Sequence, residues 1–322
     1  MVTINDIAKR AGVAKSTVSR YLNGGSISKK TAAKVDAVVK ETGYVPNSFA
    51  QSLKAKETKM IGAIVPRLDS YYLSAVIDGA DTYLYNHGYR LMLLHTQMNE
   101  KRTEDALRLF KANKVDGILF FDDAKYIEKE ENNPDSPPII STFKFIAKQL
   151  EGVQEKAAKL LADYLFKMGH RKVTFVDGGD QSIDFDIATQ FKKAFFKYKG
   201  TFWQEIRFDF DDQESISRLL ADKPELIVCS DDTLTLTIMR ECLERGMEIP
   251  KDISFASFGN HPIAEIFYPG LTTIHYPYFE FGEYLATQLL NIIQKKDVRR
   301  SFLDEVQLME RESVYYIDHE SK

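Results

Sequence analysis

Up to Pro46, apolar residues recur every three to four positions, which predicts three short amphipathic helices. Thr3 is placed to cap the first helix, Gly12 to end it, and Ser28 to cap the third. The apolar faces of the three helices are, in chain order, Ile4, Ile7, Ala8 and Ala11; Val18, Tyr21 and Leu22; and Ala32, Val35, Val38 and Val39. Because a tight turn joins the first two helices, the pattern indicates a helix-turn-helix.

From Met60 onward, short apolar runs that are typical of buried strands alternate with stretches of helical period. Strands are predicted at residues 61–65, 91–94, 117–121, 138–140, 172–176, 226–229, 253–257 and 272–275. Helices are predicted at residues 71–87, 100–113, 154–168, 184–198 and 232–245. This alternation is typical of a parallel sheet covered by helices, and it restarts after residue 153, so we expect two doubly wound α/β lobes.

The composition favours a packed globular protein, because 44% of the 322 residues are hydrophobic and 28% are charged. The two cysteines, Cys229 and Cys242, are too few for a disulfide framework and fit a reducing compartment. No stretch has the apolar character of a signal peptide or a membrane span. We therefore expect a cytoplasmic protein.

The net charge of −4 conceals an uneven distribution along the chain. Residues 1–59 contain eleven Lys and Arg and four Asp and Glu, a net charge of +7, whereas residues 60–322 carry −11. A basic segment of this kind is typical of a module that binds nucleic acid, although it also occurs as solvated surface. Charge alone leaves both interpretations open.

The second predicted helix favours the nucleic-acid interpretation. Its outward-facing residues are Lys15, Ser16, Thr17, Ser19 and Arg20. They are cations and hydroxyls near the end of the helix that meets base edges and phosphates when such a helix enters the major groove. The alternative is a small helical bundle whose polar face is only solvated.

Several short motifs are similar to those of one protein family. In the first 47 residues they are Thr3-Ile4-Asn5-Asp6-Ile7-Ala8, Ala11-Gly12-Val13, Ser16-Thr17-Val18-Ser19-Arg20, Leu22-Asn23 and Gly43-Tyr44-Val45-Pro46-Asn47. In this order and spacing the chain resembles the LacI family of bacterial transcriptional regulators. The resemblance continues in Met168-Gly169-His170-Arg171, Ile249-Pro250-Lys251-Asp252-Ile253-Ser254 and Pro269-Gly270-Leu271-Thr272-Thr273-Ile274, and covers nearly the whole chain.

This resemblance implies which residues of the N-terminal segment bind DNA. Lys15, Ser16 and Arg20 are expected at the bases, and Thr17, Ser19 and Asn23 at the DNA backbone. The other DNA-binding candidates that it implies are Thr3, Asn47, Ala50, Leu53 and Lys54. In one departure, Ala14 stands where the family has a serine that caps the recognition helix, which forgoes about 1 kcal/mol of capping.

Pro46 cannot lie inside a helix, so the third helix must end near Gly43 and a new segment starts at Asn47. Residues 47–54 make barely two helical turns, too few for a stable isolated helix. By resemblance this segment is the family's hinge helix, which orders on operator DNA, pairs with its twin in the minor groove and inserts Leu53 at the central base step. The alternative is an inert linker, in which Leu53 would be an exposed leucine without a role.

The family's body resembles periplasmic sugar-binding proteins, in which two lobes enclose a ligand at the carboxyl ends of the strands. Many sugar-responsive members have an arginine, an asparagine-aspartate pair and an aspartate in this cleft. The corresponding positions here are Phe185 or Ile187, Ser230-Asp231 and Asn260. Aromatic residues stand near the predicted strand ends instead, and such rings stack on sugars or planar ligands. A second departure is the short, charged join at 144–152, where we expect the first crossover between the lobes.

The candidate effector-binding residues are Tyr71, Tyr72, His95, Phe121, Phe143, Phe185, Ser230, Asp231, Asn260 and Tyr276, with Asp69, Asp122, Asp184 and Tyr278 as further cleft residues. Alternatively, several of these rings are lobe core. Catalysis is the rival function, but the sequence contains no dinucleotide glycine motif, phosphate-loop lysine motif or Gly-x-Ser-x-Gly elbow. The Asp231-Asp232 pair fits helix capping better than acid-base work, so we expect no enzyme, no cofactor and no metal.

These observations predict a domain organisation. We expect a helix-turn-helix domain at residues 1–46, a hinge helix and linker at 47–59, and an effector-binding and dimerisation domain at 60–322. Within the last, the N-lobe is expected at about 60–143 plus 277–302, and the C-lobe at about 153–275 plus 303–317.

They also predict a function: a sequence-specific transcriptional regulator, a repressor of carbohydrate-utilisation genes controlled by a sugar or sugar phosphate in the cleft. The alternative is a regulator of the same family controlled by a protein corepressor or a non-sugar ligand. Because the hinge helix works as a pair, we expect a homodimer on a near-palindromic double-stranded operator. A candidate interface between protomers is the helix near residues 71–87, although part of its apolar stripe must cover its own sheet. The stripe consists of Leu73, Val76, Ile77, Ala80 and Leu84.

Overall fold

The structure is a computed structural model. It describes residues 2–22, 25–44, 57–122, 127, 130, 133, 135–178, 187–199, 201–209, 212, 214–296 and 305–318, with the backbone alone at 143–151. The chain divides into two compact units, Met1–Lys59 and Met60–Lys322, which we call the head and the body. Within the described ranges, none of the helices has the length and apolar character of a membrane span.

The head contains the three predicted helices, α1 (Ile4–Ala11), α2 (Lys15–Leu22) and α3 (Lys29–Thr42). Thr3 caps α1 as expected: its side chain accepts a hydrogen bond from the Asp6 amide, and the Asp6 carboxylate accepts one from the Thr3 amide. Gly12 ends α1 with a left-handed φ of 65°. The buried core of the head is Ile7, Ala8, Ala11, Val18 and Val35. The predicted helix-turn-helix is confirmed.

The body alternates strands and helices. In chain order these are β1 (Met60–Val65), α4 (Tyr71–Asn86), β2 (Arg90–His95), α5 (Glu100–Ala112), β3 (Gly117–Phe120), β4 (Ile139–Ser141), α6 (Thr142–Lys167), β5 (Lys172–Asp177), α7 (Ile187–Phe195), β6 (Phe202–Arg207), α8 (Ser215–Ala221), β7 (Leu226–Cys229), α9 (Asp232–Glu244), β8 (Ser254–Gly259), α10 (Ile263–Ile266), β9 (Thr272–His275), α11 (Tyr278–Ile293) and β10 (Gln307–Met309).

Two sheets give the body its two lobes, as the sequence predicts. The N-lobe sheet has the order β2-β1-β3-β4, and these strands pair in parallel. The C-lobe sheet has the order β10-β9-β8-β7-β5-β6, which is parallel except that β10 runs antiparallel to β9. The buried strands β1, β3 and β7 are almost continuously apolar, as expected of strands covered by helices.

Several features of the fold differ from the prediction, which did not include helices α8, α10 and α11. Strand β6 was not predicted, because it lies at the sheet edge and its polar Gln204 and Glu205 interrupt the apolar run. The three-residue strand β10 was also not predicted, because it is too short for a pattern. The segment 144–152, expected as a crossover join, belongs to α6, which starts directly after β4. Its alanine, lysine, glutamine and glutamate residues favour a helix.

Helices α4 and α11 pack together unusually closely because a glycine of each lies against the other's backbone. A Cβ atom added to Gly79 would lie 1.9 Å from the carbonyl oxygen of Phe279, and one added to Gly282 would lie 1.9 Å from that of Val76. The α4 stripe that we considered as a protomer interface is buried in this packing: Val76, Ala80 and Leu84 are fully buried within the single chain. These three residues therefore cover the body's own core, as the sequence requires of part of the stripe, and they are not available to a second protomer.

Candidate nucleic-acid interface and ligand cleft

The outer face of α2 carries the polar side chains that the sequence predicts there. Lys15, Ser16 and Arg20 are exposed, and Thr17 and Ser19 are partly exposed. Val18, on the opposite face, is fully buried in the head core and fixes the helix to α1 and α3. The helix therefore presents hydrogen-bond donors outward from a well-anchored backbone.

A polar contact that the sequence did not reveal joins α2 to α3. The Tyr21 hydroxyl donates a hydrogen bond of 2.9 Å to Asp36, and the Lys40 ammonium lies 2.7 Å from the same carboxylate. The hydrogen bond from Lys40, followed by that from Tyr21, lowers the pKa of Asp36 below its ordinary value. The carboxylate thus stays charged at neutral pH and helps set the angle of α2 against α3.

The remaining DNA-binding candidates divide into two groups. The side chain of Thr3 is engaged with Asp6 as the cap of α1, where it stabilises the helix. Asn23, Asn47, Ala50, Leu53 and Lys54 lie outside the described residues, as does the whole predicted hinge helix 47–54.

In the body, tyrosines cluster at the carboxyl ends of β1 and β9. Tyr71 and Tyr72 begin α4, Tyr276 follows β9, and Tyr278 begins α11. The ring of Tyr278 lies 4.7 Å from that of Tyr72, 5.6 Å from that of Tyr276 and 6.5 Å from that of Tyr71. The structure therefore brings three of the predicted effector residues together around Tyr278.

Burial raises the pKa of Tyr72, Tyr276 and Tyr278 above the ordinary value for a phenol, so these three hydroxyls keep their protons at physiological pH. Their rings pack edge-on or tilted against one another, which is the preferred geometry for aromatic pairs. The cluster combines apolar ring surface with neutral hydroxyl groups, and these suit an uncharged polar ring compound.

The residues predicted after β7 make contacts within the C-lobe. The Asp231 side chain accepts a hydrogen bond of 2.9 Å from the Leu234 amide, so it caps α9, as the sequence indicates. The Ser230 hydroxyl accepts a hydrogen bond of 3.3 Å from the Gly178 amide and links the ends of β5 and β7. Both side chains thus stabilise the backbone at the carboxyl ends of the strands.

Asn260 also has partners within the lobe. Its side-chain oxygen accepts a hydrogen bond of 2.9 Å from Arg311, and its amide nitrogen donates one of 3.2 Å to the ring of His275. The backbone here is left-handed, with φ of 55° at Asn260 after φ of 138° at Gly259. This turn and its side-chain contacts fix the start of the loop after β8.

The other predicted cleft residues lie at the ends of N-lobe strands. His95 ends β2 and is partly exposed, and Phe121, which follows β3, is buried in the core with 4% exposure. The Asp122 carboxylate accepts hydrogen bonds from Thr96 and Thr103, at 2.8 and 3.0 Å. Asp69 forms an ion pair with Arg67. The side chain of Phe143, and all of Asp184 and Phe185, lie outside the described residues.

Sequence reasoning assigned Asp232 only to helix capping, but it is a buried carboxylate with 2% exposure. It accepts hydrogen bonds from the hydroxyls of Ser257 and Thr273 and from the backbone amide of His261. Burial raises the pKa of Asp232, and these three donors oppose that rise. The only signal in the sequence is a second aspartate directly after an apolar strand.

The comparisons with known proteins agree with this geometry. The sequence pattern described as "Bacterial regulatory proteins, lacI family" matches residues 3–47. The transcriptional repressor PurR of Vibrio vulnificus is 32% identical, over 99% of this chain and 100% of its own. The sucrose operon repressor of Streptococcus mutans is 31% identical, over 97% of this chain and 99% of its own. The chain belongs to the lacI family. As a lacI-family protein with a helix-turn-helix head, it is a DNA-binding transcriptional regulator.

Two further matches concern the fold. The pattern of a "Periplasmic binding protein-like domain" matches residues 162–314 of this lacI-family chain. A solved structure of the lac repressor dimer bound to operator and an anti-inducer has a TM-score of 0.78 at 24% identity, over 98% of this chain and 99% of that one. These matches confirm a helix-turn-helix head followed by two parallel-sheet lobes.

Proposed function

We propose that this protein is a repressor that binds a near-palindromic operator as a homodimer and answers to a small-molecule effector in the cleft between the body's lobes. The observation that carries the proposal is the outward face of α2, where Lys15, Ser16 and Arg20 stand exposed on a helix anchored by its own core. The curated relatives, which are transcriptional repressors, support it. We propose no catalytic role, and we place the protein in the cytoplasm because operator DNA is there.

The DNA-binding part is tested by selecting duplexes from a random library with the full-length protein. We expect a near-palindromic sequence to be enriched, and its affinity to fall steeply as salt rises, because cationic side chains displace counterions from phosphates. Substituting Ser16→Ala should change the preferred bases, since a residue at the base edges specifies sequence. Recovery of unselective DNA alone would contradict the proposal.

For the effector, we propose a neutral ring compound that stacks on the tyrosine cluster, with a sugar as the first choice. The cluster consists of aromatic rings and uncharged hydroxyls, and one of the relatives is a sucrose operon repressor. A thermal-shift screen of the full chain against sugars, sugar phosphates and nucleobases tests this class. We expect a sugar to raise the melting temperature and to change operator affinity in the selected duplex. Stabilisation by the other compounds but by no sugar would reject it.

We further propose the domain organisation that the sequence predicts. Residues 1–46 bind DNA, residues 47–59 form a hinge, and residues 60–322 bind the effector. The compact units Met1–Lys59 and Met60–Lys322 are compatible with it. An effector shifts such a regulator only through different affinities for two lobe arrangements. Sedimentation of the full chain with and without operator tests the dimer, and a monomer on the half-site alone would contradict it.

A further inference from the structure

We propose that Tyr71 and His261 form a latch that holds the two lobes of the body together, and that Asp232 positions His261 for it. The inference deepens the proposed function and rests on it for its regulatory meaning, because closure of the lobes is what an effector would control.

The latch joins residues of different lobes. Tyr71 is the first residue of α4, which packs on the N-lobe sheet, and His261 follows β8 in the C-lobe sheet. Their ring centroids lie 4.8 Å apart with an interplanar angle of 58°. Tyr71 is 38% exposed, and its ring also lies 6.5 Å from that of Tyr278 at an interplanar angle of 83°. Tilted aromatic pairs of this kind contribute about 0.5–1.5 kcal/mol beyond the area they bury.

The C-lobe holds His261 rigidly by its backbone. Its amide donates a hydrogen bond to Asp232, whose carboxylate also accepts from Ser257 on β8 and Thr273 on β9. The preceding residue, Asn260, has a left-handed backbone and donates its amide to the Thr273 hydroxyl at 3.3 Å. Asp232 therefore ties the ends of β7, β8 and β9 to the loop that carries the histidine.

The imidazole itself is oriented by the same loop. Its Nδ1 accepts a hydrogen bond of 3.1 Å from the amide of Ile263, at the start of α10. An accepting Nδ1 places the proton of the neutral ring on Nε2. With both its backbone and Nδ1 fixed, the ring has little freedom to follow Tyr71 if the N-lobe moves away. The ring contact must then break when the lobes separate, which is the property that a latch requires.

The test is a double-substitution cycle in the full-length protein, read by hydrogen exchange in the first turn of α4. His261→Asn keeps an acceptor for the Ile263 amide but removes the ring, so it separates the latch from the local turn. We expect it to speed exchange at residues 72–75 about threefold to tenfold. In a Tyr71→Ala background it should have no further effect, because the contact is already lost.

Tyr85→Ala is the matched control, since Tyr85 lies at the other end of the same helix and is 60% exposed. It should leave exchange at residues 72–75 unchanged. Asp232→Ala should act in the same direction as His261→Asn, by releasing the loop. Additive effects of Tyr71→Ala and His261→Asn, or unchanged exchange in His261→Asn, would overturn the latch.

Hydrogen exchange at residues 72–75 is measured without DNA, so its result tests the latch independently of the proposed regulatory function. If the latch also biases regulation, His261→Asn should shift the effector concentration that half-saturates the change in operator affinity by at least threefold. If exchange is faster in His261→Asn but the half-saturating effector concentration is unchanged, the contact between Tyr71 and His261 is supported and its regulatory role is rejected. If the unsubstituted protein binds no operator selectively, the proposed function is rejected instead.

Discussion

Arg20 is a cation of α2 whose contribution to operator affinity can be measured directly. It is exposed near the end of the helix, and its backbone carbonyl accepts a hydrogen bond from the Gly25 amide at 2.8 Å. We expect Arg20→Ala to weaken binding to the selected operator by about tenfold or more and to reduce the salt slope by about one. Fluorescence anisotropy at several salt concentrations measures both quantities.

Lys34→Ala is the control for Arg20→Ala, because it removes the same charge from an exposed position of α3. The salt slope of Lys34→Ala should match that of the unsubstituted protein. Equal slopes in all three proteins would show that the charge of Arg20 contributes nothing to the electrostatic part of operator binding.

Asp232 makes the stability of the body depend on pH. Because burial raises its folded-state pKa above 3.8, the stabilisation linked to its protonation is complete below that value and is lost as pH rises through the folded pKa. Asp232→Asn abolishes this dependence. Its side-chain oxygen still accepts from the His261 amide, and its NH₂ donates to hydroxyls that also act as acceptors. We expect melting temperature to fall more from pH 4.5 to 7.5 in the unsubstituted protein than in Asp232→Asn.

Asp232→Ala is the comparison that isolates the hydrogen bonds from the charge. It leaves Ser257, Thr273 and the His261 amide without their acceptor, so it should destabilise the body at every pH, by about 1–3 kcal/mol for each donor that finds no other partner. A pH profile of Asp232→Asn parallel to that of the unsubstituted protein would refute the linkage.

At the scale of elements, the sequence predicts the limits of a strand best where a local pattern of residues determines them. Strands β7 and β9 have the predicted limits, because β7 is a short apolar run between polar residues and β9 is rich in β-branched residues. The network of Asp232 escapes prediction because its partners lie 25, 29 and 41 residues away and depend on strand order. The same holds for His261, whose position follows from a turn and not from any periodicity.

The contact between α4 and α11 should fail if either glycine gains a methyl group. In Gly282→Ala the new Cβ would meet the carbonyl of Val76, so the helices must separate. Overpacking of this kind costs about 1–3 kcal/mol, and contact with backbone places it at the upper end. Gly152→Ala is the opposite control, because it lies in α6 with open space around it and should stabilise by about 0.5–1 kcal/mol. Chemical denaturation of the body measures both.

Helix α2 begins without a side-chain cap. Ala14 precedes α2, its carbonyl accepts hydrogen bonds from the amides of Thr17 and Val18, and its methyl group cannot accept one. We expect Ala14→Ser to stabilise the head by about 1 kcal/mol. Ala33→Ser is the control, since it puts the same hydroxyl on an exposed interior position of α3, where serine is less favourable than alanine. Equal effects of the two substitutions would rule out capping.

Across the whole molecule, the uneven charge and the division into two units lead to one thermal prediction. The head has a small core of its own, whereas the body has the cores of two sheets. A domain of about sixty residues buries a smaller share of its surface than a larger one and is marginally stable. We therefore expect calorimetry of the full chain to show the head unfolding at a lower temperature than the body.

Operator DNA should raise only the lower of these two transitions. A ligand that binds the folded head alone stabilises it by about 2.7 kcal/mol at a concentration one hundred times the dissociation constant. Because the +7 charge of residues 1–59 binds phosphates and the −11 body does not, added salt should cancel this stabilisation while leaving the upper transition in place. A shift of both transitions by DNA would show that the body is stabilised by operator as well, and that the two units do not unfold independently.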